Sequence, residues 1–218
     1  MFELPLFPLN TVLFPGMPLH LHIFEDRYKQ MIRFCLDKHQ PFGVVLIRRG
    51  LEAHGPLAEP FEIGCTARIV HHRTLDEGRM NIIAVGEDRF RIRSLETGKM
   101  PYLIGWVDQF PLDISLEPEL GRAIEKLKPW LKIYLQLLPQ GEGTPSDSIQ
   151  IPDDPRTLIY LAAVLLQVPP LKKQEFLSAE RAEDLLAELQ TAYRREIALL
   201  RALLSEQKPE SEKRFSKN

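Results

Sequence analysis

Four prolines near the N-terminus constrain the fold of this 218-residue chain more than any other feature. They are Pro5, Pro8, Pro15 and Pro18. Proline has no backbone N–H and a fixed φ, so this stretch cannot be helical, and it can pair in a sheet only along the short runs between prolines. The sequence therefore predicts that the chain begins as interrupted strands of the kind found at sheet edges, with a turn at Pro15-Gly16.

The hydrophobic period changes at Glu25. Before it, apolar residues alternate with polar ones from Leu19 to Ile23, which predicts a strand with one apolar face. After it, the apolar residues follow the helical period; they are Tyr28, Met31, Ile32, Cys35 and Leu36. The pattern predicts an amphipathic helix that begins at Glu25-Asp26 and ends before Pro41.

The rest of the first half reads as strands joined by short turns. The strands are predicted at 42–47, 65–73, 79–85, 89–95 and 102–110, with a long loop at 50–62 and turns at 76–78, 86–88 and 97–98. In the strand at 89–95, Arg89, Arg91 and Arg93 share one face. That face is expected to be solvated or to meet an acidic partner.

After Pro111 the pattern becomes helical. The sequence predicts a long helix after Pro118 that Pro129 kinks or splits, a connector at 139–154, and an N-cap at Asp154 followed by proline. An apolar helix over 158–166 should be central, a short helix follows over 171–177, and the last helix carries an apolar stripe that ends at Leu203 and Leu204. We therefore expect a β unit at 1–112, a helical bundle at 113–205 and a disordered tail at 206–218.

Several runs closely resemble the substrate-binding N-terminal domain of Lon proteases. They are Pro-Leu-Phe-Pro-Leu at 5–9, Leu-Phe-Pro-Gly at 13–16, Ile-Phe-Glu-Asp-Arg-Tyr at 23–28, and Ile-Gly-Cys-Thr-Ala-Arg-Ile at 63–69 followed by Gly78-Arg79, Gly86 and Arg-Phe-Arg-Ile at 89–92. The resemblance implies an α+β fold: an N-terminal PUA-like antiparallel β pseudobarrel with one helix, followed by a C-terminal α-helical bundle. It also implies a protein that recognises other proteins rather than cleaving them, here as a stand-alone LON-domain protein.

Composition argues against several other classes. With 28 basic and 30 acidic residues the formal net charge is −2, and neither half has the basic excess typical of nucleic-acid binding. No signal peptide and no membrane-spanning run is recognised, which predicts a cytoplasmic protein without a membrane partner. Cys35 and Cys65 lack CxxC spacing and are expected to be buried thiols.

Known catalytic and cofactor motifs are not recognised in the sequence. His20 and His22 share a strand face and His71-His72 forms a second pair, but neither has the further ligands that zinc needs, so solvated strand faces are expected. Thr97-Gly98-Lys99-Met100 lacks the glycine spacing and the hydroxyl residue of a P-loop, and no Gly-x-Ser-x-Gly run occurs. We expect no catalytic residue, metal or cofactor, and neither the ATPase nor the peptidase region of Lon proteases.

Binding is the remaining class. A surface for acidic groups is hypothesised at Arg48 and Arg49, together with His71, His72 and Arg73. The leading hypothesis is a non-catalytic LON-type substrate-binding protein for other proteins or unfolded segments, with a further role as an adaptor for a protease. The alternative is a PUA-like RNA-binding module.

Overall fold

The computed structural model describes residues 1–52, 57–114, 118–138 and 151–206. The elements in chain order are β1 (Phe2–Leu9), β2 (Pro18–Ile23), α1 (Asp26–Lys38), β3 (Phe42–Arg49), β4 (Glu59–Thr74), β5 (Met80–Glu96), β6 (Leu103–Gln109), α2 (Pro118–Leu137), α3 (Pro155–Leu165), α4 (Pro170–Ser178) and α5 (Ala182–Glu206). Strands fill the first half and helices the second, as the change of pattern after Pro111 predicts.

Hydrogen-bonded pairing joins five strands into a ring. The order is β5, β4, β3, β1 and β6, and β6 pairs with β5 again, while β2 lies along the first part of β5. β1 and β3 run parallel and the other pairs are antiparallel. The α+β fold with a pseudobarrel followed by helices is thus confirmed, with one parallel pair in an otherwise antiparallel sheet.

The expectation of interrupted edge strands is wrong for the first segment. β1 is one strand that runs through Pro5 and Pro8 inside the sheet. Residues 2–6 pair with β6, and residues 6–9 pair with β3. Pro5 therefore has a partner strand on its β6 side only, and Pro8 on its β3 side only. The missing N–H of each proline removes at most one hydrogen bond between strands.

The turn at Pro15-Gly16 is confirmed. The Met17 N–H donates to the Phe14 carbonyl at 3.1 Å, and Gly16 has a φ of 79°, the conformation that favours glycine at the third position of a tight turn. The turn is bound to the barrel because the Gly16 N–H donates to the Gly86 carbonyl at 2.8 Å and the Gly86 N–H donates to the Met17 carbonyl at 3.0 Å.

The turn predicted at 86–88 is wrong, since β5 continues through it. Gly86 is needed there for close approach: a Cβ on it would lie 2.2 Å from the Phe14 carbonyl oxygen. Glu87 and Asp88 together lie opposite Thr66, so β5 has one extra residue there. The Thr66 hydroxyl stabilises this bulge by accepting from the Asp88 N–H at 3.0 Å. The predicted loop at 50–62 is also too long, because β4 begins at Glu59; residues 53–56 lie outside the described ranges.

Most helix predictions are confirmed. α1 buries Tyr28, Met31, Ile32 and Cys35 against the barrel core. The Asp154 carboxylate caps α3 and Pro155 follows it. α2 continues unbroken through Pro129, so of the expected kink or split, the split does not occur.

The apolar stripe of α5 is buried over a shorter stretch than predicted. Its buried positions run from Ala182 to Ile197, whereas Leu203 and Leu204 are exposed at 57% and 43%. The connector predicted at 139–154 is described only from residue 151, and the tail lies outside the described residues after 206. None of the described helices is both long and apolar enough to span a membrane.

The barrel and the helices meet across a buried contact. Two apolar clusters lie wholly within the barrel, and a third is mostly helical but includes five barrel residues, which are Val12, Phe14, Leu46, Ile63 and Leu112. At this contact the Asp113 N–H donates to the Glu180 carbonyl at 2.9 Å, and the Ala182 N–H donates to the Asp113 carbonyl at 2.8 Å. These bonds fix the connection between α4 and α5 to the segment that follows β6.

Candidate functional site

The outer edge of β2 is the first candidate. Within the described residues, β2 pairs with β5 and with no other strand, so the backbone groups on its other side have no ladder partner. A short, accessible edge of this kind can accept an extended polypeptide as an additional strand.

A narrow groove, here named the seam groove, runs beside that edge. It has a volume of about 150 Å³. Its lining residues from the barrel and helix are Phe7, Leu9, His20 to Glu25, Tyr28 and Glu52. In the part of the chain that the structure describes, β1 has no partner on its β6 side after Leu6, which leaves this gap between β1 and β2. Phe24, 43% exposed, stands at the edge of the groove, which has room for about one side chain of a bound segment.

A wider groove of about 470 Å³ covers the outer face of β2, β5 and β4. Cross-strand register places His20, Ile83 and His71 in one row, and His22, Asn81 and Arg73 in the next. His22 Nδ1 and Asn81 Oδ1 lie 2.6 Å apart, within hydrogen-bond distance. We name this surface the outer-face groove.

The five residues hypothesised as one surface for acidic groups do not come together. His71, His72 and Arg73 are exposed near the end of β4, and His71 and Arg73 line the outer-face groove. Arg48 and Arg49 are exposed at the end of β3, beside Glu59 at the beginning of β4, and Arg48 forms an ion pair with Glu59. The two groups therefore lie toward opposite ends of a 16-residue strand.

The exposed histidine pairs fit the expected solvated strand faces. His20, His22, His71 and His72 are all exposed. In the part of the chain that the structure describes, no three His, Cys, Asp or Glu side chains are close enough to hold a metal ion. The outer-face groove could not be predicted from the sequence, because the pairing of β2 and β4 across β5 brings together residues 51 positions apart, such as His20 and His71.

The arginine face of β5 is only partly solvated. Arg89 is 2% exposed, and its Nη1 donates to the Leu177 and Ala179 carbonyls at 2.6 Å, at the C-terminal end of α4. Burial lowers the pKa of Arg89, while those carbonyls favour its charged form. The expectation of a face that is solvated or meets an acidic partner is therefore wrong at Arg89, which fastens the helices to the barrel.

Arg91 and Arg93 meet acidic side chains of the same chain. Arg91 pairs with Glu180 at 2.8 Å and its guanidinium lies 4.2 Å from the centre of the Phe110 ring. Arg93 pairs with Asp108 at 2.8 Å. These arginines remain partly accessible and line a third groove between β4 and β5.

Neither cysteine has the environment of a reactive thiol. Cys35 and Cys65 are both buried and free. Burial raises the pKa of the Cys35 thiol to about 12 and raises the pKa of Cys65 as well. Both therefore stay protonated near neutral pH, which fits packing rather than nucleophilic chemistry.

Comparison with known proteins assigns the chain to a family. The model of the ATP-dependent protease La (LON) substrate-binding domain matches residues 3–193. Among curated relatives, the Lon protease of Paraburkholderia phytofirmans is 29% identical over 170 residues, which is 77% of this chain and 21% of that protein. The Lon protease of Syntrophus aciditrophicus is 26% identical over 206 residues, or 90% of this chain and 25% of that protein. The chain spans about a quarter or less of the length of these relatives.

Solved structures of the same kind share the fold. The crystal structure of a Lon N-terminal domain protein from Xanthomonas campestris matches with a TM-score of 0.63 and 26% identity, covering 88% of this chain and 98% of that one. The N-terminal domain of a Mycobacterium avium complex Lon protease matches with a TM-score of 0.68 over the same shares; its 18% identity supports the fold alone.

Proposed function

This chain belongs to the family of LON substrate-binding domains, and from that premise we propose that it binds extended or unfolded segments of other proteins along the outer edge of β2. The observation that carries the proposal is the one-sided pairing of β2, which leaves backbone groups available beside the seam groove. Main-chain hydrogen bonds supply affinity in this mode of recognition, and pockets for alternate side chains supply selectivity. Because main-chain hydrogen bonds do not depend on the side chains of the ligand, this mode accepts many sequences, which suits a protein that recognises unfolded chains.

The chemistry of the surroundings supports such a ligand. Phe24 and the partly buried Leu21 present apolar surface at the groove, where an apolar side chain of a bound segment would be removed from water. The outer-face groove adds polar groups from His20 and His22 on the adjacent surface.

Fluorescence anisotropy with a labelled, permanently unfolded protein tests the proposal. Reduced and carboxymethylated lactalbumin should bind, and its native, disulfide-bonded form should bind much more weakly. Phe24→Asp should weaken binding of the unfolded form because it places a charge at the groove. Leu95→Asp is the matched control: Leu95 is also an exposed apolar strand residue, at 40%, and it lies near the far end of β5. Equal binding by wild type and Phe24→Asp would contradict this site.

The same assay separates protein binding from RNA binding. A labelled oligouridylate in place of the unfolded protein should show no tight binding. Tight binding that weakens steeply as salt is raised would instead favour an RNA-binding module, because phosphate contacts release counterions.

We further propose that the chain is non-catalytic, acts in the cytoplasm, and serves as an adaptor that brings bound segments to a protease. A preparation free of contaminants should hydrolyse neither ATP nor casein, with or without magnesium. Addition of the chain to a cytoplasmic extract should speed degradation of the unfolded lactalbumin, and Phe24→Asp should remove that effect.

A further inference from the structure

β4 and β5 separate to form a fork that faces the helices. They pair from Thr74 and Met80 as far as Ile63 and Arg91. Beyond that point, residues 59 and 60 of β4 pair with β3, and residues 92–96 of β5 pair with β6. Within the described ranges, the two strands therefore leave unpaired edges toward each other, and the space between them is a groove of about 430 Å³, which we name the strand fork.

Positive side chains predominate in the strand fork. Arg48, Arg91 and Arg93 line it, whereas Glu62 is the one carboxylate among those of its lining residues that the structure describes. The acidic partners of the arginines, which are Glu59, Glu180 and Asp108, are not lining residues of the fork. The arginine side chains are 53%, 29% and 50% exposed in that order, so these ion pairs are partly solvated and weak enough to exchange for a ligand carboxylate.

A glutamine from α4 forms the closed end of the fork. The Gln174 Nε2 donates to the Ile63 carbonyl at 3.0 Å and to the Ser178 hydroxyl at 3.2 Å. Gln174 is 4% exposed, and among the described residues its Oε1 has no hydrogen-bond partner. The side chain thus satisfies the carbonyl at which the pairing of β4 with β5 ends.

We propose that the strand fork binds an extended, acidic segment of another protein, at a site separate from the outer edge of β2. Guanidinium groups bind carboxylates through paired hydrogen bonds, and three of them along one groove match acidic residues spaced along an extended chain. Phe61 adds apolar surface to the same wall. The site combines Arg48 with Arg91 and Arg93, the two arginines of β5 that remain accessible. Arg48 also belongs to the surface for acidic groups that the sequence predicts.

Anisotropy with the full chain and a labelled 12-residue peptide rich in glutamate tests this site. The double variant Arg48→Gln/Arg93→Gln removes two exposed guanidinium groups, and it should weaken peptide binding by about tenfold or more if each forms a charge-assisted contact. Arg91 is kept because it packs on Phe110 and pairs with Glu180. The control is Arg68→Gln/Arg79→Gln, which removes the same charge from two other exposed, ion-paired arginine side chains on β4 and the following turn.

Three outcomes would overturn the proposal. They are absence of peptide binding by the wild type, equal weakening by both double variants, and tighter binding of a 12-nucleotide oligouridylate with the same dependence on Arg48 and Arg93. A lysine-rich peptide of equal length should not bind. Because Phe24→Asp leaves the fork intact, it should not change glutamate-peptide binding, so failure at the fork and failure at the β2 edge are distinguishable.

Discussion

Gly16 holds the entrance turn in a backbone conformation that other residues rarely adopt. Its φ is 79°, and a Cβ built on it would have no heavy atom within 4 Å. The cost of Gly16→Val is therefore conformational rather than steric, and it should destabilise the protein by more than about 1 kcal/mol. Denaturant unfolding measures this.

Gly121 is the matched control for Gly16. It lies within α2, also has no atom within 4 Å of a built Cβ, and has no positive φ. Gly121→Ala should raise stability by about 0.5 to 1 kcal/mol, because glycine is unfavourable within a helix. An unchanged unfolding midpoint for Gly16→Val would refute the assigned turn.

The Cys35 thiol should make stability depend on pH. Burial raises its pKa from 9.0 to about 12, so its contribution is complete below pH 9 and is lost as the pH rises toward 12. The loss at pH 10 should be on the order of 1 kcal/mol. Between pH 8 and pH 10, the unfolding free energy should therefore fall further for the wild type than for Cys35→Ala, in which Cys65 is unchanged. Parallel falls in the two proteins would contradict this.

The N-cap of α3 is the element boundary that the sequence predicts most directly. Asp154 Oδ2 accepts from the Thr157 N–H at 2.8 Å and from the Thr157 hydroxyl at 2.6 Å. Asp154→Ala should cost about 1 kcal/mol of stability. The bonds from Thr157 lower the pKa of Asp154, so this contribution should be present above the ordinary carboxyl pKa and lost as the pH falls below it.

Asp153→Ala is the control for that cap. Asp153 carries the same charge at the preceding position, and the described structure gives it no capping hydrogen bond. Its replacement should change the thermal midpoint little. If both variants lose the same stability, the loss of a negative charge near the N-terminus of α3, rather than the loss of the capping hydrogen bonds, explains the effect.

Element boundaries were predictable where the decisive contacts are local. The Asp154 cap, the α1 stripe and the Pro15-Gly16 turn depend on residues within a few positions, and the structure confirms them. The strand boundaries near Pro8 and Gly86 depend on partners far along the chain, so local proline and glycine signals misplaced them. The same limit hid the capping role of Arg89, whose carbonyl acceptors lie 88 and 90 residues later.

At the scale of the whole molecule, we propose that residues 1–112 and 113–205 are separate folding units. Residues 1–112 contain two apolar clusters of their own, which favours their independent folding, although the mostly helical cluster also includes five barrel residues. Residues 1–112 expressed alone should give dispersed amide resonances. They should be less stable than in the full chain, because Arg89 loses two carbonyl acceptors and the fully buried Phe14 becomes exposed. An aggregated or unfolded fragment beside a well-folded full chain would show that the halves share one core.

The outline of the candidate site was predictable only in part. Family resemblance indicated protein binding, which composition did not contradict, and the strand pattern predicted an exposed histidine face. The seam groove and the strand fork arise where strands stop pairing, at Leu6 in β1 and at Ile63 in β4, and a sequence pattern does not show where a partner strand departs.

Amide hydrogen exchange in β2 tests the central claim most directly. Along Leu19 to Ile23, alternate N–H groups point toward β5 and toward the outer edge. In the free protein the outward set should exchange quickly. Saturating unfolded lactalbumin should slow that set, and Phe24→Asp should abolish the protection. Protection confined to other regions of the chain, with the β2 amides unchanged in the bound state, would contradict the proposal that β2 receives the substrate as an added strand.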